Sequence, residues 1–284
     1  MSQCGRGQAA RTAFLLALQE PRTFHDPRTD NEQESRMRIG IAGAGHIGRT
    51  LSRKLSAAGH DVKVANSREP ESVHPDALSA GARAVFAAEA VKDVDVVILS
   101  MPLDRLPAFG SPLSEALADA IILDTSNYYP LRDGHIEAID EGQVESEWVA
   151  EQLGRPIVKV FNAISSASLA EHGRPQGTAG RIAIPVAAND ADARELAIGL
   201  VDETGFDGFD AGVLSESWRQ QPGAPCYCTD LTSEQMPGAL AAAEKHRLPK
   251  RRDISIAAIA ERVGDGTTNP DADYAVRLTR AIFL

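Results

Sequence analysis

Residues 38–68 read RIGIAGAGHIGRTLSRKLSAAGHDVKVANSR, and this stretch decides the fold. An apolar run at 38–42 leads into a glycine-rich turn, and a helical pattern with one apolar face follows at 46–58. A second apolar run occupies 61–65. A strand, a turn, a helix and a strand within about thirty residues are typical of the first βαβ unit of a dinucleotide-binding fold.

The turn between the first strand and the helix, Gly43-Ala44-Gly45-His46-Ile47-Gly48, matches the pattern G-x-G-x-x-G. Gly43 permits the tight turn, Gly45 leaves room for a pyrophosphate beside the backbone, and Gly48 allows the helix to pack closely on the strand. The free N–H groups at the start of the helix then bind the phosphates. The alternative is a glycine-rich turn without a ligand, which the fit of both flanking elements disfavours.

The end of the second strand, Asn66-Ser67-Arg68, predicts which dinucleotide binds. Sites that prefer NAD place an acidic residue there, which accepts hydrogen bonds from the ribose hydroxyls. An acidic group would repel a 2′-phosphate, whereas Asn66 and Ser67 can donate hydrogen bonds to it and the Arg68 guanidinium can pair with it. The segment therefore favours NADP over NAD. The alternative is that Arg68 is a solvated cation at the start of a loop.

The chain beyond this unit alternates apolar runs with helical patterns. Runs that suit strands occur at 82–85, 95–100, 120–124, 157–161 and 181–186, and helical patterns occur at 87–91, 113–118, 144–153 and 191–203. Strands that alternate with helices predict an α/β fold with a doubly wound, mainly parallel sheet, which is a Rossmann fold. Asp190 is placed to cap the last of these helices.

The sequence divides into three parts. Residues 1–35 are polar and irregular apart from a short helical pattern near 12–20, and they predict a flexible arm. Residues 36–212 form the predicted NADP-binding Rossmann domain. Residues 213–284 form a C-terminal part of loops and helices, with helices expected at 233–246, 254–263 and 274–283 and a break at PKRRD, 249–253.

The composition argues against several functional classes. The 284 residues carry a net charge of −11, which disfavours broad binding of nucleic acid or anionic membranes. No apolar run approaches the roughly 18 residues of a membrane span, so we expect a cytoplasmic protein. The three cysteines make no disulfide framework, and Cys226 and Cys228 lack a second pair of zinc ligands, so no metal site is predicted.

Three segments follow the fourth, fifth and sixth predicted strands: Ser100-Met101-Pro102, DTSNYYP at 124–130 and FNAISS at 161–166. Ligands of an open parallel sheet bind at the carboxyl ends of the strands, so these segments are expected at the nicotinamide end of the nucleotide. They contain hydroxyls and amides but no acid–base pair, and the catalytic residues are not assigned. Hydride transfer between aligned rings needs mainly proximity. Asp133-Gly134-His135 is interpreted as a turn and helix cap.

Together these motifs resemble a known family. The chain is similar to the NADP-dependent oxidoreductases related to coenzyme F-420:NADP oxidoreductase in the glycine turn, Asn66-Ser67-Arg68, Ser100-Met101-Pro102, TSNYYP at 125–130, FNAI at 161–164 and DAGVLSESWRQQPG at 210–223. It also resembles the reductase domain of the STEAP metalloreductases and, more distantly, pyrroline-5-carboxylate reductase. The resemblance covers about residues 37–228.

This resemblance implies a Rossmann domain with a small C-terminal part over the active site, and NADP(H) along the glycine turn. A deazaflavin such as coenzyme F-420, or a flavin, then stacks on the nicotinamide. The implied contacts are Ala44, Gly45, His46 and Ile47 for the pyrophosphate, Ser67 and Arg68 for the 2′-phosphate, Ser100, Met101 and Pro102 for the ribose and nicotinamide, and Asn127, Asn162, Ala163 and Ile164 near the ring. Compact members of the family lack a 36-residue leader and a long tail after Thr229 such as those of this chain.

Three functions stay open from the sequence. The first is hydride transfer between NADPH and a planar small-molecule acceptor, a deazaflavin or a flavin. The second is NADPH-dependent reduction of a small imine or carbonyl compound, which needs a proton donor such as Tyr128, Ser126 or an ordered water. The third is an NADPH-binding sensor without turnover. The apolar residues 282–284 suit burial against a second subunit, in a homodimer, or against the sheet.

Overall fold

A six-stranded parallel sheet with the order β3-β2-β1-β4-β5-β6 organises residues 38–159. Its strands are β1 (Arg38–Ala42), β2 (Asp61–Ala65), β3 (Arg83–Ala84), β4 (Val96–Leu99), β5 (Ile121–Asp124) and β6 (Val158–Lys159). The computed structural model describes residues 36–113, 120–264 and 268–284. The arm predicted at 1–35 and most of the helix predicted at 113–118 lie outside the described residues. The observed strand order confirms the predicted Rossmann fold.

Helices cover both faces of this sheet. The helices of the described residues are α1 (His46–Ala57), α2 (Ala87–Ala90), α3 (Leu106–Leu113), α4 (Pro130–Asp133), α5 (Glu137–Asp140), α6 (Glu145–Leu153), α7 (Ser166–Glu171), α8 (Ala191–Glu203), α9 (Met236–Ala241), α10 (Leu248–Val263) and α11 (Ala272–Phe283). Successive residues of a strand point to opposite faces. Ile39 and Ile41 of β1 therefore pack with Leu51 of α1 on one face. On the other face, Ala42 joins the cluster that contains Val149 of α6.

The strand order reverses between β1 and β4, the two central strands. Ala42 at the end of β1 is paired with Ala65 of β2 on one side and with Leu99 of β4 on the other. The segments that follow the three strands therefore leave the sheet at one edge. This is the place where ligands of open parallel sheets bind.

A two-stranded parallel sheet follows, made of β7 (Ala183–Val186) and β8 (Asp207–Asp210) with α8 between them. An antiparallel bridge between Lys159 and Ala187 connects β7 to β6. The sequence does not predict β8, because its four residues include two aspartates, a glycine and a single large apolar side chain. Its backbone bonds to β7, rather than its own hydrophobicity, make it a strand.

Helix α8 begins where the sequence predicts. The carboxylate of Asp190 accepts hydrogen bonds from the backbone N–H groups of Asp192 and Ala193, at 2.9 and 3.0 Å. This is the N-cap arrangement, which satisfies two donors that the first helical turn leaves without partners. The start of the helix is therefore fixed by one side chain.

The C-terminal helices differ most from the sequence-based expectation. The helix predicted at 233–246 is reduced to α9. The helix predicted at 254–263 starts earlier, at Leu248, so PKRRD at 249–253 begins α10 instead of breaking the pattern. The reason is Pro249, which lies in the first turn, where its missing N–H costs no hydrogen bond. Within the described ranges, no helix combines the length and the apolar content that crossing a membrane requires.

Residues 221–229, called here the buried segment, form turns, yet all of them are buried. Such a segment needs partners for its backbone groups, because no helix or strand satisfies them. Helix α11 supplies two of these partners. Thr279 Oγ1 donates to the backbone oxygen of Cys228 at 2.6 Å, and Arg280 Nε donates to that of Thr229 at 2.8 Å.

Candidate nucleotide-binding and active site

Two of the three glycines of the turn are required by the protein itself. Gly43 has a φ of +114°, and a Cβ atom there would lie 2.0 Å from the backbone oxygen of Ser100. A Cβ atom at Gly48 would lie 1.8 Å from the backbone oxygen of Gly43. Helix α1 therefore packs directly on the turn after β1, with its N-terminus at the carboxyl edge of the sheet.

Gly45 differs, since its protein surroundings do not require a glycine. Its φ of −71° suits any residue, and a Cβ atom would meet no described atom within 4 Å. Gly45 is exposed and is the N-cap of α1, which has no side-chain cap and no acidic residue in its first turn. The first N–H groups of α1 thus lack a competing side-chain acceptor, and the space above Gly45 is open. Both properties suit a pyrophosphate.

His46 lies in the first turn of α1 beside this open space. Its Nδ1 accepts a hydrogen bond from Arg49 Nη2 at 2.8 Å. Partial burial of the ring, aided by the charge of Arg49, lowers the pKa of His46, so the imidazole is neutral at pH 7. Because Nδ1 is an acceptor, the proton of the neutral ring is on Nε2. Nε2 is therefore a hydrogen-bond donor at the predicted pyrophosphate site.

The loop after β2 is shaped by Asn66. Its Oδ1 accepts from the N–H of Arg68 at 2.8 Å, and its Nδ2 donates to Oγ of Ser72 at 2.9 Å. The amide of Asn66 therefore holds the loop in place. Because both its oxygen and its nitrogen already have partners, it has less hydrogen-bonding capacity left for the direct phosphate contact that the sequence suggests. Ser67 and Arg68 are exposed. The guanidinium of Arg68 has no ion-pair partner among the residues that the structure describes.

An exposed aromatic ring, Phe86, lies beside this loop. β3 pairs with β2, and the N–H of Val85 donates to the backbone oxygen of Val64 at 3.0 Å. Phe86 comes next and leaves the sheet at the level of Asn66, with 55% of its surface exposed. A flat apolar ring at this edge is suited to stack on adenine. The sequence does not single it out, because β3 has only two residues and its end is hard to locate.

The structure brings together three amides at the ends of β5 and β6: Asn127, Asn162 and Gln220. Asn127 Nδ2 donates to the backbone oxygen of Asn162 at 3.0 Å, and Asn162 Nδ2 donates to Asn127 Oδ1 at 3.1 Å. Gln220 Nε2 donates to Asn162 Oδ1 at 2.9 Å. This amide network joins two of the predicted loops to the 3₁₀ turn Leu214–Gln220.

The other predicted contacts differ in burial. Ser100 continues from β4, and its N–H donates to the backbone oxygen of Ala42 at 2.8 Å. Ala163 and Ile164 are buried. Ile164 packs in the hydrophobic core and so anchors the loop after β6. Of the remaining predicted residues, those with surface free to meet a ligand are Ala44, Ile47, Ser100, Met101 and Pro102.

Two buried polar atoms at the amide network have no partner in the described part of the chain: Ser126 Oγ and Gln220 Oε1. Gln220 Nε2 faces the oxygens of Lys159, Asn162 and Pro185, which fixes the amide so that Oε1 is the unpaired atom. A buried polar atom without a partner costs about 1–3 kcal/mol. A ligand with both a donor and an acceptor, such as the carboxamide of nicotinamide, would offset that cost.

A buried ion pair lies beneath the network. Lys159 Nζ donates to Asp124 Oδ2 at 2.7 Å and to the backbone oxygen of Ser126 at 2.5 Å. Glu145 is also buried, and it accepts from the N–H of Tyr128 at 3.1 Å. Burial raises the pKa of Glu145 to about 7, although the nearby Lys159 opposes the change. These groups fix the ends of β5 and β6.

The tyrosines after β5 have different partners. The hydroxyl of Tyr128, one of the proton donors considered above, donates to Asp140 Oδ1 at 2.9 Å and accepts from the N–H of Ile136 at 3.0 Å. Its proton is therefore already used in the hydrogen bond to Asp140. The hydroxyl oxygens of Tyr129 and Tyr227 lie 2.5 Å apart. Sequence reasoning missed this contact, because 98 positions separate the two residues and no motif connects them.

The contacts of Asp133, Cys226 and Cys228 indicate structural roles for these residues. The Asp133 carboxylate accepts from the N–H of Tyr129 at 2.8 Å, so it closes the turn at α4. Cys226 and Cys228 are buried free thiols, and burial raises the pKa of Cys226 to about 12. Within the parts of the chain that the structure describes, no three His, Cys, Asp or Glu side chains group as a metal site would.

Known proteins resemble this chain in sequence. Residues 38–128 match the family model described as NADP oxidoreductase, coenzyme F420-dependent. The putative protein YjhV of Escherichia coli K12 is 38% identical over 104 residues, which cover 36% of this chain and 75% of YjhV. The metalloreductase STEAP3 of Rattus norvegicus is 26% identical over 181 residues, which cover 63% of this chain. The match spans 35% of the length of STEAP3.

The fold also occurs in a solved structure, a putative F420-dependent NADP-reductase from Arthrobacter sp. FB24. The TM-score is 0.54 at 19% identity, and the likeness covers 83% of this chain and 98% of that one. At this identity it shows the fold alone. The family model, by contrast, spans the glycine turn, the loop after β2 and the loop after β5 as far as Tyr128. This chain therefore belongs to the family of NADP oxidoreductases described as coenzyme F420-dependent.

Proposed function

We propose that this protein transfers hydride between NADPH and a small planar acceptor, either a deazaflavin such as coenzyme F-420 or a flavin. Family membership supports NADP as the nucleotide. The observation that carries the proposal is Arg68, an exposed guanidinium at the tip of β2 without an ion-pair partner among the described residues. It lies at the same sheet edge as the open turn at Gly45.

The phosphates would be held by the first βαβ unit. The N–H groups at the start of α1 and Nε2 of His46 would donate to the pyrophosphate. Ser67 and Arg68 would pair with the 2′-phosphate, and Phe86 would lie against the adenine. A hydrogen bond to a charged group contributes about 1.5–3 kcal/mol, so the pair Ser67 and Arg68 is sufficient to discriminate NADPH from NADH.

The nicotinamide would lie at the amide network. Ser126 Oγ and Gln220 Oε1, the two unpaired buried atoms, would bind the carboxamide. Bound NADPH supplies the hydride from its nicotinamide ring. The residues of this site, Met101 and Pro102 among them, would hold that ring in one orientation with the acceptor beside it, which is most of what hydride transfer requires.

A planar acceptor suits the polarity of this end of the site. Lys159 and Asp124, which lie beneath the network, are fully buried and paired with each other, and Arg132, which donates to the backbone oxygen of Asn127, is paired with Asp133. The groups left for an acceptor are amides, hydroxyls and apolar surfaces from the segments after β4, β5 and β6. Such a surface favours stacking of a conjugated ring over capture of a strongly charged group.

A second candidate is reduction of a small imine or carbonyl compound. The pair of hydroxyls of Tyr129 and Tyr227, 2.5 Å apart, suits this candidate as well as the first, because reduction of a C=N or C=O bond needs a proton as well as a hydride. The same fold would bind NADPH in both cases. The two candidates differ in the acceptor alone.

The partner and the location are also proposals. The acceptor is a small molecule. Buried free thiols at Cys226 and Cys228, together with the use of NADPH, suit a reducing compartment, and we propose the cytoplasm. Phe283 is buried within the chain whereas Leu284 is exposed, so a homodimer would use a smaller part of 282–284 than the sequence suggests.

Calorimetric titration with NADPH and NADH, followed by stopped-flow mixing of the NADPH-loaded protein with acceptors, tests the proposal. We expect NADPH to bind at least about 10-fold more tightly than NADH. We expect F-420 or FMN to oxidise it. Oxidation only by a cyclic imine or a carbonyl compound would support the second candidate. Tight binding without oxidation by any acceptor would indicate a sensor, and absence of NADPH binding would contradict the whole proposal.

A further inference from the structure

We propose that the hydroxyl pair of Tyr129 and Tyr227 is the proton-donating site of this protein. It would serve an acceptor that takes a proton on nitrogen or oxygen when it receives the hydride, the property shared by deazaflavins, imines and carbonyl compounds. This inference rests on the proposed function. It assigns the acid that the sequence left unassigned, and it uses neither Tyr128 nor Ser126.

The hydroxyl pair lies close to the amide network. Tyr129 lies two residues after Asn127, which belongs to the amide network at the end of β5. Tyr227 packs with Ala163 on the other side of the network. The next residue, Cys228, donates its N–H to the backbone oxygen of Ala163 at 2.8 Å. The pair therefore joins the loop after β5 to the buried segment, which itself contacts the loop after β6, at the end of the site where the nicotinamide is proposed.

The pair is held in place from both sides. The N–H of Tyr129 donates to Asp133 Oδ2 at 2.8 Å. The guanidinium of Arg132 lies 5.1 Å from the centre of the Tyr129 ring and donates to the backbone oxygen of Asn127 at 2.7 Å. On the other side, the buried segment and its contacts to α11 fix Tyr227. A general acid must be positioned in this way, because proton transfer requires hydrogen-bond distance.

Both tyrosines of the pair also remain protonated at neutral pH. Two neutral hydroxyls carry two protons: one lies between the oxygens, and the other is the proton that we propose reaches the acceptor. Burial raises the pKa of both tyrosines, and the carboxylate of Glu145 acts in the same direction. Arg132 acts in the opposite direction on Tyr129, and the thiol of Cys228 is itself kept protonated by burial. Both phenols are therefore neutral at pH 7.

In the proposed reaction, the acceptor receives a hydride from NADPH and a proton from the tyrosine pair. The hydride of NADPH forms a bond to the electron-poor carbon or nitrogen of the acceptor, and the acceptor's double bond gives its electron pair to a nitrogen or oxygen. That atom takes the proton of the nearer tyrosine, whose O–H bond breaks. The second tyrosine returns a proton through the 2.5 Å contact and regains one from water. In sum, NADPH, the acceptor and one proton give NADP⁺ and the reduced acceptor.

Three matched variants test this assignment: Tyr129→Phe, Tyr227→Phe and, as the control, Tyr128→Phe. Each removes one hydroxyl oxygen and keeps the ring. General acids contribute about 10²–10⁴-fold, so we expect the hydride-transfer rate of Y129F and Y227F to fall about 10²-fold, with the solvent isotope effect changed. The NADPH affinity should stay unchanged in both. Y128F should keep the wild-type rate, since its hydroxyl is bound to Asp140 and Ile136.

A proton NMR spectrum provides a readout that does not depend on turnover. The proton shared by the two hydroxyls should give a downfield resonance that Y129F and Y227F lose and Y128F retains. Wild-type rates and isotope effects in Y129F and Y227F, with an active wild-type protein, would overturn the inference and leave the proposed function intact. A wild-type protein that binds NADPH but reduces no acceptor would overturn both.

Discussion

Asn162 and Gln220 exchange two hydrogen bonds although 58 positions separate them. Asn162 Nδ2 donates to the backbone oxygen of Gln220 at 2.9 Å, and Gln220 Nε2 donates to Asn162 Oδ1 at 2.9 Å. Both side chains are buried. The exchange ties the loop after β6 to the 3₁₀ turn before the buried segment, so the proposed nicotinamide site depends on residues far apart in the sequence.

Replacing Gln220 with Met keeps the volume and removes the amide. Asn162 Oδ1 then loses a buried donor, so the free energy of unfolding should fall by about 1–3 kcal/mol. NADPH should also bind more weakly, since Oε1 is proposed to meet the carboxamide. Urea denaturation and calorimetry measure the two effects. Gln152→Met, at an exposed position of α6, is the control, and equal stability losses in both variants would contradict the role of Gln220.

Two glycine variants separate ligand binding from packing. Gly45→Ala should leave stability within about 1 kcal/mol of the wild type, because its Cβ atom would meet no described atom within 4 Å. It should weaken NADPH binding at least about 10-fold, if the pyrophosphate occupies that space. Gly48→Ala should destabilise the fold by about 3 kcal/mol, because its Cβ atom would lie 1.8 Å from the backbone oxygen of Gly43. Thermal unfolding and calorimetry check both; unchanged affinity in Gly45→Ala would refute the placement.

The preference for NADPH should be carried by the loop after β2. The double replacement of Ser67 with Asp and Arg68 with Ala removes a cation and adds a carboxylate that repels the 2′-phosphate. NADPH binding should weaken about 10²-fold, with little change for NADH. Arg83→Ala is the matched control: Arg83 is an exposed arginine on the neighbouring strand, paired with Asp61 at 2.8 Å. Retained discrimination in the double variant would refute the assignment.

Glu145 should make stability depend on pH. Burial raises its pKa from the ordinary 4.5 to about 7, so the folded protein binds this proton more tightly than the unfolded chain. Stability contributed by Glu145 is therefore greatest below pH 4.5 and falls as the pH rises to about 7, by about 2–3 kcal/mol. Glu145→Gln retains an acceptor for the N–H of Tyr128 and does not titrate. Denaturation curves at several pH values should show the wild type losing stability relative to E145Q over this range.

Phe86 should contribute to nucleotide affinity through its exposed ring. An aromatic contact of this kind is worth about 0.5–1.5 kcal/mol, so Phe86→Ala should weaken NADPH binding by about 2- to 10-fold. Leu131→Ala provides the comparison, because Leu131 is an apolar side chain that is 93% exposed but lies in α4, after β5. If both variants bind NADPH as the wild type does, Phe86 does not contact the adenine.

The first βαβ unit could be predicted nearly to the residue, because its strands are apolar, its helix is amphipathic and its turn requires glycine. β1 and β2 have the predicted bounds, and α1 ends one residue early. β8 could not be predicted, since pairing with β7 outweighs a polar sequence. The start of α10 was missed because proline in a first helical turn looks the same in sequence as proline that ends a helix.

The site was predicted less completely than the fold. The motifs locate the residues at the ends of β1, β2, β4, β5 and β6, because parallel strands deliver their following loops to one edge. They contain no information on contacts such as that between Tyr129 and Tyr227, which arises only when the buried segment folds back over the sheet. Asn66 illustrates the same limit, since its hydrogen bonds within the loop are visible only in the structure.

The hydrogen bonds between residues 221–229 and α11 also determine the order in which parts of the protein can fold during synthesis. All six strands of the main sheet are complete by Lys159, so the nucleotide-binding half can form while the ribosome is still translating. The backbone oxygens of Cys228 and Thr229 receive their partners only when Thr279 and Arg280 have left the exit tunnel. Residues 221–229 therefore acquire their final shape only after the main sheet has been synthesised.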